Sequence, residues 1–244
     1  MDTTTRIPVP GTYNFRDVGG LSARGGEVRP GVLFRSDGLH RLGPAGRAML
    51  GTLGVRSVID LRDRYEAERM PDDLDGLDVE VRSLPVFEGS GASQNGEDVS
   101  LEQLYERMLT RHAPVLANAV RAVAAQPAGS TVVHCTAGKD RTGVVVALSL
   151  LSVGVDRATV VEDYARTEAH LAGEWLEEMV QLVGRFGVPD SPGLRMLMGG
   201  SPPEALDHAL DLVEREHGSA NEYLVASGVA PAELRSLETR LLVK

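Results

Sequence analysis

Short apolar runs alternate with amphipathic segments along the first half of the chain. Four runs of apolar and β-branched residues are bounded by glycine, proline or charged residues, which predicts strands at residues 32–35, 55–61, 79–84 and 131–134. Apolar residues recur at helical spacing between Leu42 and Leu53, which predicts a helix there. Strands separated by helical segments favour a layered α/β fold.

The second half of the chain carries mainly helical patterns. Helices are predicted at Leu101–Thr110, at Pro114–Ala125, from the cap Asp156 to about Arg166, at Pro203–His217 and at Pro231–Leu242. Between the third and fourth of these, Leu171, Trp175, Met179 and Leu182 form a broad apolar stripe. Such a stripe indicates buried core, with a mobile lid over an active site as the alternative.

Composition narrows the classes of function. Hydrophobic residues make up 42% and charged residues 25% of the 244 residues, which is typical of a globular protein and predicts a single domain over residues 1–244. Lys and Arg total 25 against 35 Asp and Glu, so the net charge is −10 and argues against binding to nucleic acid or to an anionic membrane. The longest apolar stretch, Val144 to Val155, is too short to span a bilayer, so we expect no stable membrane insertion.

The single cysteine, Cys135, forms no intramolecular disulfide and fits a reducing compartment, so we expect a cytoplasmic protein. The first residues are polar and lack the apolar core of a secretory signal peptide. Five histidines are scattered without the spacing of metal ligands: His40, His112, His170, His208 and His217. We therefore predict no metal site and no cofactor.

One segment carries recognisable chemistry, and it joins the last predicted strand to an apolar helical run. It reads His134-Cys135-Thr136-Ala137-Gly138-Lys139-Asp140-Arg141-Thr142-Gly143. Five residues between Cys135 and Arg141 allow the backbone to curl around a tetrahedral dianion, with Gly138 permitting the tight turn. The following helix would add unpaired N–H groups and the positive end of its dipole. The pattern predicts a phosphate-binding loop in which Thr136, Ala137, Gly138, Lys139 and Thr142 contact the substrate.

The same loop contains a candidate nucleophile. Helix N-termini and nearby cations favour the thiolate of a cysteine, and Lys139 and Arg141 would supply the cations. The thiolate of Cys135 would attack phosphorus to give a phosphocysteine intermediate. The planar fork of Arg141 can hold two phosphate oxygens and stabilise the transition state, and the Thr142 hydroxyl could donate to the sulfur.

A general acid must protonate the leaving oxygen, and the sequence offers two candidates. Asp140 lies within the loop, while Glu88 follows a predicted strand at the start of a polar loop. We favour Asp140 and keep Glu88 open, because an acid beside Lys139 and Arg141 can also serve as an ion-pair partner. Lys139 would bind a second anionic group of the substrate or remain a solvated cation.

The loop resembles the Cys-x5-Arg signature of the protein-tyrosine phosphatase superfamily, and its lysine is similar to that of phosphoinositide and dual-specificity phosphatases. Three upstream segments are similar to the bacterial tyrosine and lipid phosphatase family, which includes a secreted mycobacterial enzyme: residues 14–17, 33–37 and 53–62. The resemblance implies a small, mostly parallel central sheet flanked by helices and metal-independent hydrolysis. In some members it also implies a helical lid, here at about residues 168–200. Resemblance to a secreted protein leaves non-classical secretion open.

The expected activity is hydrolysis of phosphotyrosine, with phosphoserine, phosphothreonine or phosphoinositides as further substrates. A non-catalytic phosphate-dependent binding module is one alternative, and a rhodanese-like sulfurtransferase is another. The second would not need an arginine at the position of Arg141. Four charged residues upstream are predicted to serve turns and ion pairs: Asp17, Arg35, Asp60 and Arg62.

Overall fold

The computed structural model describes residues 6–87, 100–125 and 128–243, in which short strands precede a mainly helical C-terminal half. The strands are β1 (Arg16–Asp17), β2 (Ser22–Ala23), β3 (Gly26–Val28), β4 (Leu33–Ser36), β5 (Val55–Asp60), β6 (Glu80–Ser83), β7 (Ser130–His134) and β8 (Leu242–Val243). The helices are α1 (Gly43–Thr52), α2 (Arg64–Arg69), α3 (Leu101–Arg111), α4 (Ala113–Ala125), α5 (Asp140–Ser152), α6 (Arg157–Leu171), α7 (Glu174–Gly184), α8 (Pro192–Gly199), α9 (Pro203–His217), α10 (Ala220–Ala226) and α11 (Pro231–Leu241).

The central sheet has the strand order β1-β4-β7-β5-β6. Strands β4, β7, β5 and β6 are parallel, and only the edge strand β1 is antiparallel to its neighbour within the described residues. In the middle of the sheet, Val132 of β7 pairs with Phe34 on one side and Val58 on the other. The predicted α/β fold with a small, mostly parallel sheet flanked by helices is confirmed.

The apolar character of the central strands explains why both faces of the sheet are covered. All five residues of β7 are buried, and its apolar side chains enter both core clusters. One face packs against α1, through Leu50, and the other packs against α4 and α5, through Val120 and Val145. Parallel strands present their carboxyl ends at one edge of a sheet, where ligands usually bind. The segments that follow β4, β5 and β7 meet at that edge.

The helical C-terminal half is also confirmed, but the apolar stripe after α6 is not continuous core. Gly173, with φ at 86°, separates α6 from α7. Leu171 and Trp175 are buried, whereas Met179 and Leu182 are only half-buried, and α7 packs against α8 instead of entering the main core. No helix in the three described ranges is long and apolar enough to cross a membrane.

Candidate active site

The segment from Cys135 to Arg141 is a tight loop between the end of β7 and the first turn of α5. Cys135 is a free thiol with 2% of its surface exposed. Gly138 has φ at 65°, and a Cβ atom there would lie 2.2 Å from the carbonyl oxygen of Ser36. No other residue fits that backbone without displacing β4, so the predicted role of Gly138 in the turn is confirmed.

The side chains of Asn14, which precedes β1, and of Arg35 in β4 bind backbone carbonyls of this loop. Asn14 Nδ2 donates to the carbonyl oxygens of Ala137 at 3.0 Å and Gly138 at 3.1 Å. Arg35 Nη2 donates to the Gly138 carbonyl at 2.8 Å. Asp37, buried after β4, orders Asn14 by accepting its backbone N–H at 2.8 Å. The loop carbonyls are thus engaged by the protein on one side.

The backbone N–H groups of residues 136–142 have no acceptor in the described part of the chain. The first helical hydrogen bond of α5 runs from the Gly143 N–H to the Lys139 carbonyl at 2.8 Å. Consecutive N–H groups at a helix N-terminus form a binding site for an anion, and the helix dipole adds to its attraction. The loop has the geometry of a phosphate cradle with a thiol at its start.

A buried ion triad fixes the arginine that supports the loop. Asp163 of α6 accepts from Arg16 Nε at 2.9 Å and from Arg35 Nη1 at 2.6 Å. Each of the three side chains is at most 2% exposed. Burial alone would raise the pKa of Asp163, but the two guanidinium groups hold it well below its ordinary value. The triad joins the helical half of the chain to the phosphate loop.

Glu66 of α2 orients the arginine of the loop. Its carboxylate accepts from Arg141 at 2.5 Å and 2.8 Å, and from Thr136 Oγ1 at 2.6 Å. Asp63 caps α2 reciprocally with Glu66, which fixes the start of the helix. Burial alone would raise the pKa of Glu66, but the hydrogen bonds and charge of Arg141 and the hydroxyl of Thr136 lower it to about 2. Arginine has five N–H donors, so three remain for phosphate after Glu66 takes two.

Replacing Glu66 by glutamine is expected to remove the ion pair with Arg141. Glutamine is long enough to keep the capping contact with the backbone N–H of Asp63. The free energy of unfolding at pH 7 should fall by about 3 kcal/mol, since the pKa of Glu66 drops from 4.5 to about 2 on folding. A carboxylate whose pKa is lowered by folding stabilises the folded protein at pH values above its unfolded pKa. That stabilisation is lost as pH falls towards the folded pKa. Urea unfolding should therefore show the two proteins converging as pH drops from about 4.5 towards 2.

Glu68→Gln is the matched control, because Glu68 lies on the same helix and its ion-pair partner in the described part of the chain is the exposed Arg64. It should leave both stability and the KM for an aryl phosphate unchanged, whereas Glu66→Gln raises that KM by loosening Arg141. Equal unfolding curves for wild type and Glu66→Gln at pH 7 would contradict the assigned pair.

Asp140 starts α5 and faces two buried tyrosines. Tyr105 Oη donates to Asp140 Oδ1 at 2.7 Å and lies 2.7 Å from Tyr164 Oη. Lys139 Nζ is 3.5 Å from the same carboxylate oxygen. The Asp140 side chain is 20% exposed, so it is not sealed in the interior as the two tyrosines are. The other candidate acid, Glu88, lies outside the described residues.

Lys139 is neither solvated nor directed into open space. Its side chain is fully buried, and Nζ donates to the carbonyl oxygen of Leu197 at 2.7 Å. That carbonyl is in the last turn of α8, where backbone acceptors lack helical partners and a cation is favoured. The Thr142 hydroxyl is also buried and makes no hydrogen bond within the described residues.

A second polar cluster lies behind the loop. Asp60, Asp72 and His134 have ligand-type atoms within 4.8 Å of one another. Arg62 fills the cluster, with Nη2 2.9 Å from Asp60 and 2.8 Å from Asp72. The arrangement is an ion-pair network, as expected for Asp60 and Arg62. The guanidinium of Arg62 pairs with the two carboxylates that a metal ion would need as ligands. Asp17 likewise serves a turn, accepting the N–H groups of Gly19 and Gly31.

Sequence reasoning missed four residues of the site: Asn14 as a support of the loop, Glu66, Tyr105 and Asp163. The spacing Asp63-x-x-Glu66 is a capping-box signal for a helix and could have located α2. No local signal indicates that Glu66 reaches Arg141 or that Tyr105 reaches Asp140. These contacts join positions that lie far apart in the chain and come together only in the fold.

Comparison with known proteins gives the family. The model of the tyrosine phosphatase family matches residues 7–243. The triple specificity protein phosphatase PtpB of Mycobacterium tuberculosis is 34% identical, over 96% of this chain and 98% of its own. A tyrosine-protein phosphatase of Nostoc commune is 33% identical, over 86% of this chain and 74% of its own. The structure of TpbA from P. aeruginosa aligns with 80% of this chain and 99% of its own, at 18% identity and a TM-score of 0.34. With one family model and a relative both spanning nearly the whole sequence, this chain belongs to the tyrosine phosphatase family.

Proposed function

We propose that this protein is a protein-tyrosine phosphatase that hydrolyses phosphate monoesters through a phosphocysteine intermediate. The observation that carries the proposal is the loop of residues 135–141, which combines a thiol, backbone N–H groups that find no acceptor in the described residues and an arginine oriented by Glu66. Family membership supports the same reaction. We further propose a cytoplasmic location, since a lone thiol persists best in a reducing compartment.

In the first step, the Cys135 thiolate attacks phosphorus and forms an S–P bond while the P–O bond to the leaving group breaks. Arg141 and the loop N–H groups hold the three non-bridging oxygens and stabilise the charge of the transition state. Asp140 gives its proton to the departing oxygen, which leaves as an alcohol or phenol. All of these groups belong to the seven-residue loop 135–141, so the turn at Gly138 preorganises their geometry.

In the second step, water attacks the phosphocysteine. The Asp140 carboxylate takes a proton from that water as its oxygen bonds to phosphorus, and the S–P bond breaks. The products are inorganic phosphate and the thiolate of Cys135. Asp140 is then protonated and ready for another substrate, so no metal or redox partner enters the balance.

Asp140→Asn is expected to slow hydrolysis of alkyl phosphates by about 10²- to 10⁴-fold, the usual contribution of a general acid. Aryl phosphates with good leaving groups need little protonation, so their first step should change much less. Measuring kcat for a series of leaving groups tests this prediction. Equal losses across the series would contradict the acid role and favour Glu88.

The substrate class follows from the site and from the relatives. We propose phosphotyrosine proteins as substrates, with phosphoserine, phosphothreonine and phosphoinositides as further candidates, since one relative is named a triple specificity phosphatase. Lys139 would bind a second anionic group only after its contact with the Leu197 carbonyl is released. We therefore propose that the segment of about residues 168–200, which includes α7 and α8, moves as a lid when a large substrate enters.

Release of phosphate from an aryl phosphate tests the proposed function. Turnover that requires Cys135 supports the enzyme. A folded protein that binds inorganic phosphate without turnover would be the non-catalytic binding module, and sulfur transfer from thiosulfate to cyanide would identify the sulfurtransferase. A panel of phosphotyrosine peptides and soluble phosphoinositide headgroups then ranks the substrates.

A further inference from the structure

Two buried tyrosines form a short chain that ends on Asp140. Tyr105 of α3 has 0% of its surface exposed and Tyr164 of α6 has 1%. Their hydroxyl oxygens are 2.7 Å apart, and Tyr105 Oη lies 2.7 Å from Asp140 Oδ1. In the described residues, Tyr164 Oη has no hydrogen-bond partner other than Tyr105, and Asp140 Oδ2 has none. This chain of hydrogen bonds therefore ends at Asp140 Oδ2, the one carboxylate oxygen that stays available to another group.

Proton counting fixes the direction of this chain. An ionised Asp140 can only accept, so Tyr105 donates to Oδ1 and Tyr164 donates to Tyr105. If a protonated Asp140 carried its proton on Oδ1, that O–H would donate to the Tyr105 hydroxyl oxygen. The Tyr105 hydroxyl would then have to donate to Tyr164. The Tyr164 proton would then be buried without an acceptor, which is unfavourable. The cation of Lys139, 3.5 Å from Oδ1, also opposes a proton on that oxygen.

We propose that Tyr105, ordered by Tyr164, is a positioning residue that keeps the catalytic proton of Asp140 on Oδ2 and fixes the orientation of the carboxyl group. This inference rests on the proposed function, because it assigns a role within the same reaction. Tyr105 touches neither substrate nor reacting atoms and acts through Asp140. Burial, and next the charge of Asp140, raise the pKa of Tyr105 well above its ordinary value, so the donor keeps its proton over the working pH range.

The charged and titratable groups around this chain come from five elements. They are Lys139 and Arg141 of the loop and α5, Cys135 after β7, Tyr105 of α3, Tyr164 and Glu168 of α6, and Arg35 of β4. Among these, only Tyr105 donates a hydrogen bond to Asp140. Removing the Tyr105 hydroxyl leaves the charged groups around Asp140 in place. Any change in the behaviour of Asp140 should therefore report the loss of this hydrogen bond.

Tyr105→Phe is the direct test. Without the donated hydrogen bond, the ionised carboxylate of Asp140 loses stability relative to the protonated form. The limb of the pH–rate profile on which activity falls as pH rises should move to higher pH by about 0.5–1 unit. At the optimum, kcat for an alkyl phosphate should fall by about 3- to 10-fold because the acid is no longer oriented, while KM stays the same. An aryl phosphate with a good leaving group should show little change in kcat.

Tyr223→Phe is the matched control for removal of a buried tyrosine hydroxyl. Tyr223 is 2% exposed, and its hydroxyl donates to the Leu109 carbonyl at 2.9 Å. This variant is expected to lose stability without any shift in the pH–rate profile. Tyr164→Phe keeps the bond from Tyr105 to Asp140 and should give a smaller shift in the same direction, which keeps the inference testable if Tyr105→Phe does not fold.

A double variant separates a positioning role from a structural one. In the Asp140→Asn background, Tyr105→Phe should have no further effect on the dependence of kcat on leaving group. An additive loss there, a pH–rate profile of Tyr105→Phe equal to that of wild type, or the same shift in Tyr223→Phe would each overturn the inference. These failures would leave wild-type turnover intact, whereas failure of the proposed function is the absence of wild-type turnover.

Discussion

Cys135→Ser is expected to abolish turnover, with a loss in kcat on the order of 10⁴-fold or more, the scale seen when a covalent nucleophile is removed. The serine hydroxyl stays protonated at neutral pH and is a weak nucleophile without an adjacent base. The loop N–H groups, Gly138 and the pair of Arg141 with Glu66 are unaffected by the exchange. Binding of inorganic phosphate should therefore persist, with a Kd within a few-fold of that of the wild type.

Calorimetric titration with phosphate, steady-state rates and thermal unfolding together test this expectation. An unchanged melting temperature shows that the thiol was removed without unfolding the loop. Appreciable residual turnover in Cys135→Ser would contradict the covalent route. Loss of phosphate binding together with turnover would contradict the assignment of affinity to the backbone and Arg141.

Asp163→Asn is expected to be the most destabilising of the substitutions considered, at about 3–5 kcal/mol. Asp163 is the shared partner of Arg16 and Arg35, and all three side chains are buried. Burial and the neighbouring charge of Arg35 already lower the pKa of Arg16 to about 10, so two uncompensated cations would repel each other in the interior. Arg35 would also lose its support for the Gly138 carbonyl, and turnover should fall in the protein that remains folded.

Asp211→Asn is the control, because Asp211 of α9 pairs with Arg157, the first residue of the helix that carries Asp163. Asp211 is 59% exposed and shares Arg157 with Asp207 and Glu214. An exposed pair contributes about 1 kcal/mol or less, so this variant should unfold almost as the wild type does. Urea unfolding at pH 7 compares the two. A loss of less than about 1 kcal/mol in Asp163→Asn would contradict the role of the triad.

The sequence predicted best what is local. The loop from Cys135 to Arg141 is contiguous, so its thiol, glycine and arginine could be placed from spacing alone. The main strands were predicted to within about two residues for the same reason, since each is a short apolar run with clear boundaries. The break between α6 and α7 was missed, because the apolar spacing continues across it, whereas the backbone turns extended at Ala172 and takes a positive φ at Gly173.

What the sequence could not predict is the set of contacts between distant segments. Lys139 was expected to face solvent or substrate, but the end of α8 lies over it and its ammonium group satisfies the Leu197 carbonyl. Glu66 and Tyr105 carry no feature that names their partners, and each reaches the loop only because α2 and α3 pack beside it. Arg35 was rightly expected to serve an ion pair, yet its second role at the Gly138 carbonyl depends on the register of β4 beside β7.

Trapping of the phosphocysteine intermediate tests whether phosphate is transferred to Cys135. Protein mixed rapidly with an aryl phosphate and quenched in acid is digested and analysed by mass spectrometry. We expect one phosphoryl group on Cys135 in the peptide that contains it, more of it in Asp140→Asn than in wild type because hydrolysis of the intermediate is slower, and none in Cys135→Ser. Rapid turnover without any phosphoenzyme, or a phosphoryl group on another residue, would contradict transfer to Cys135.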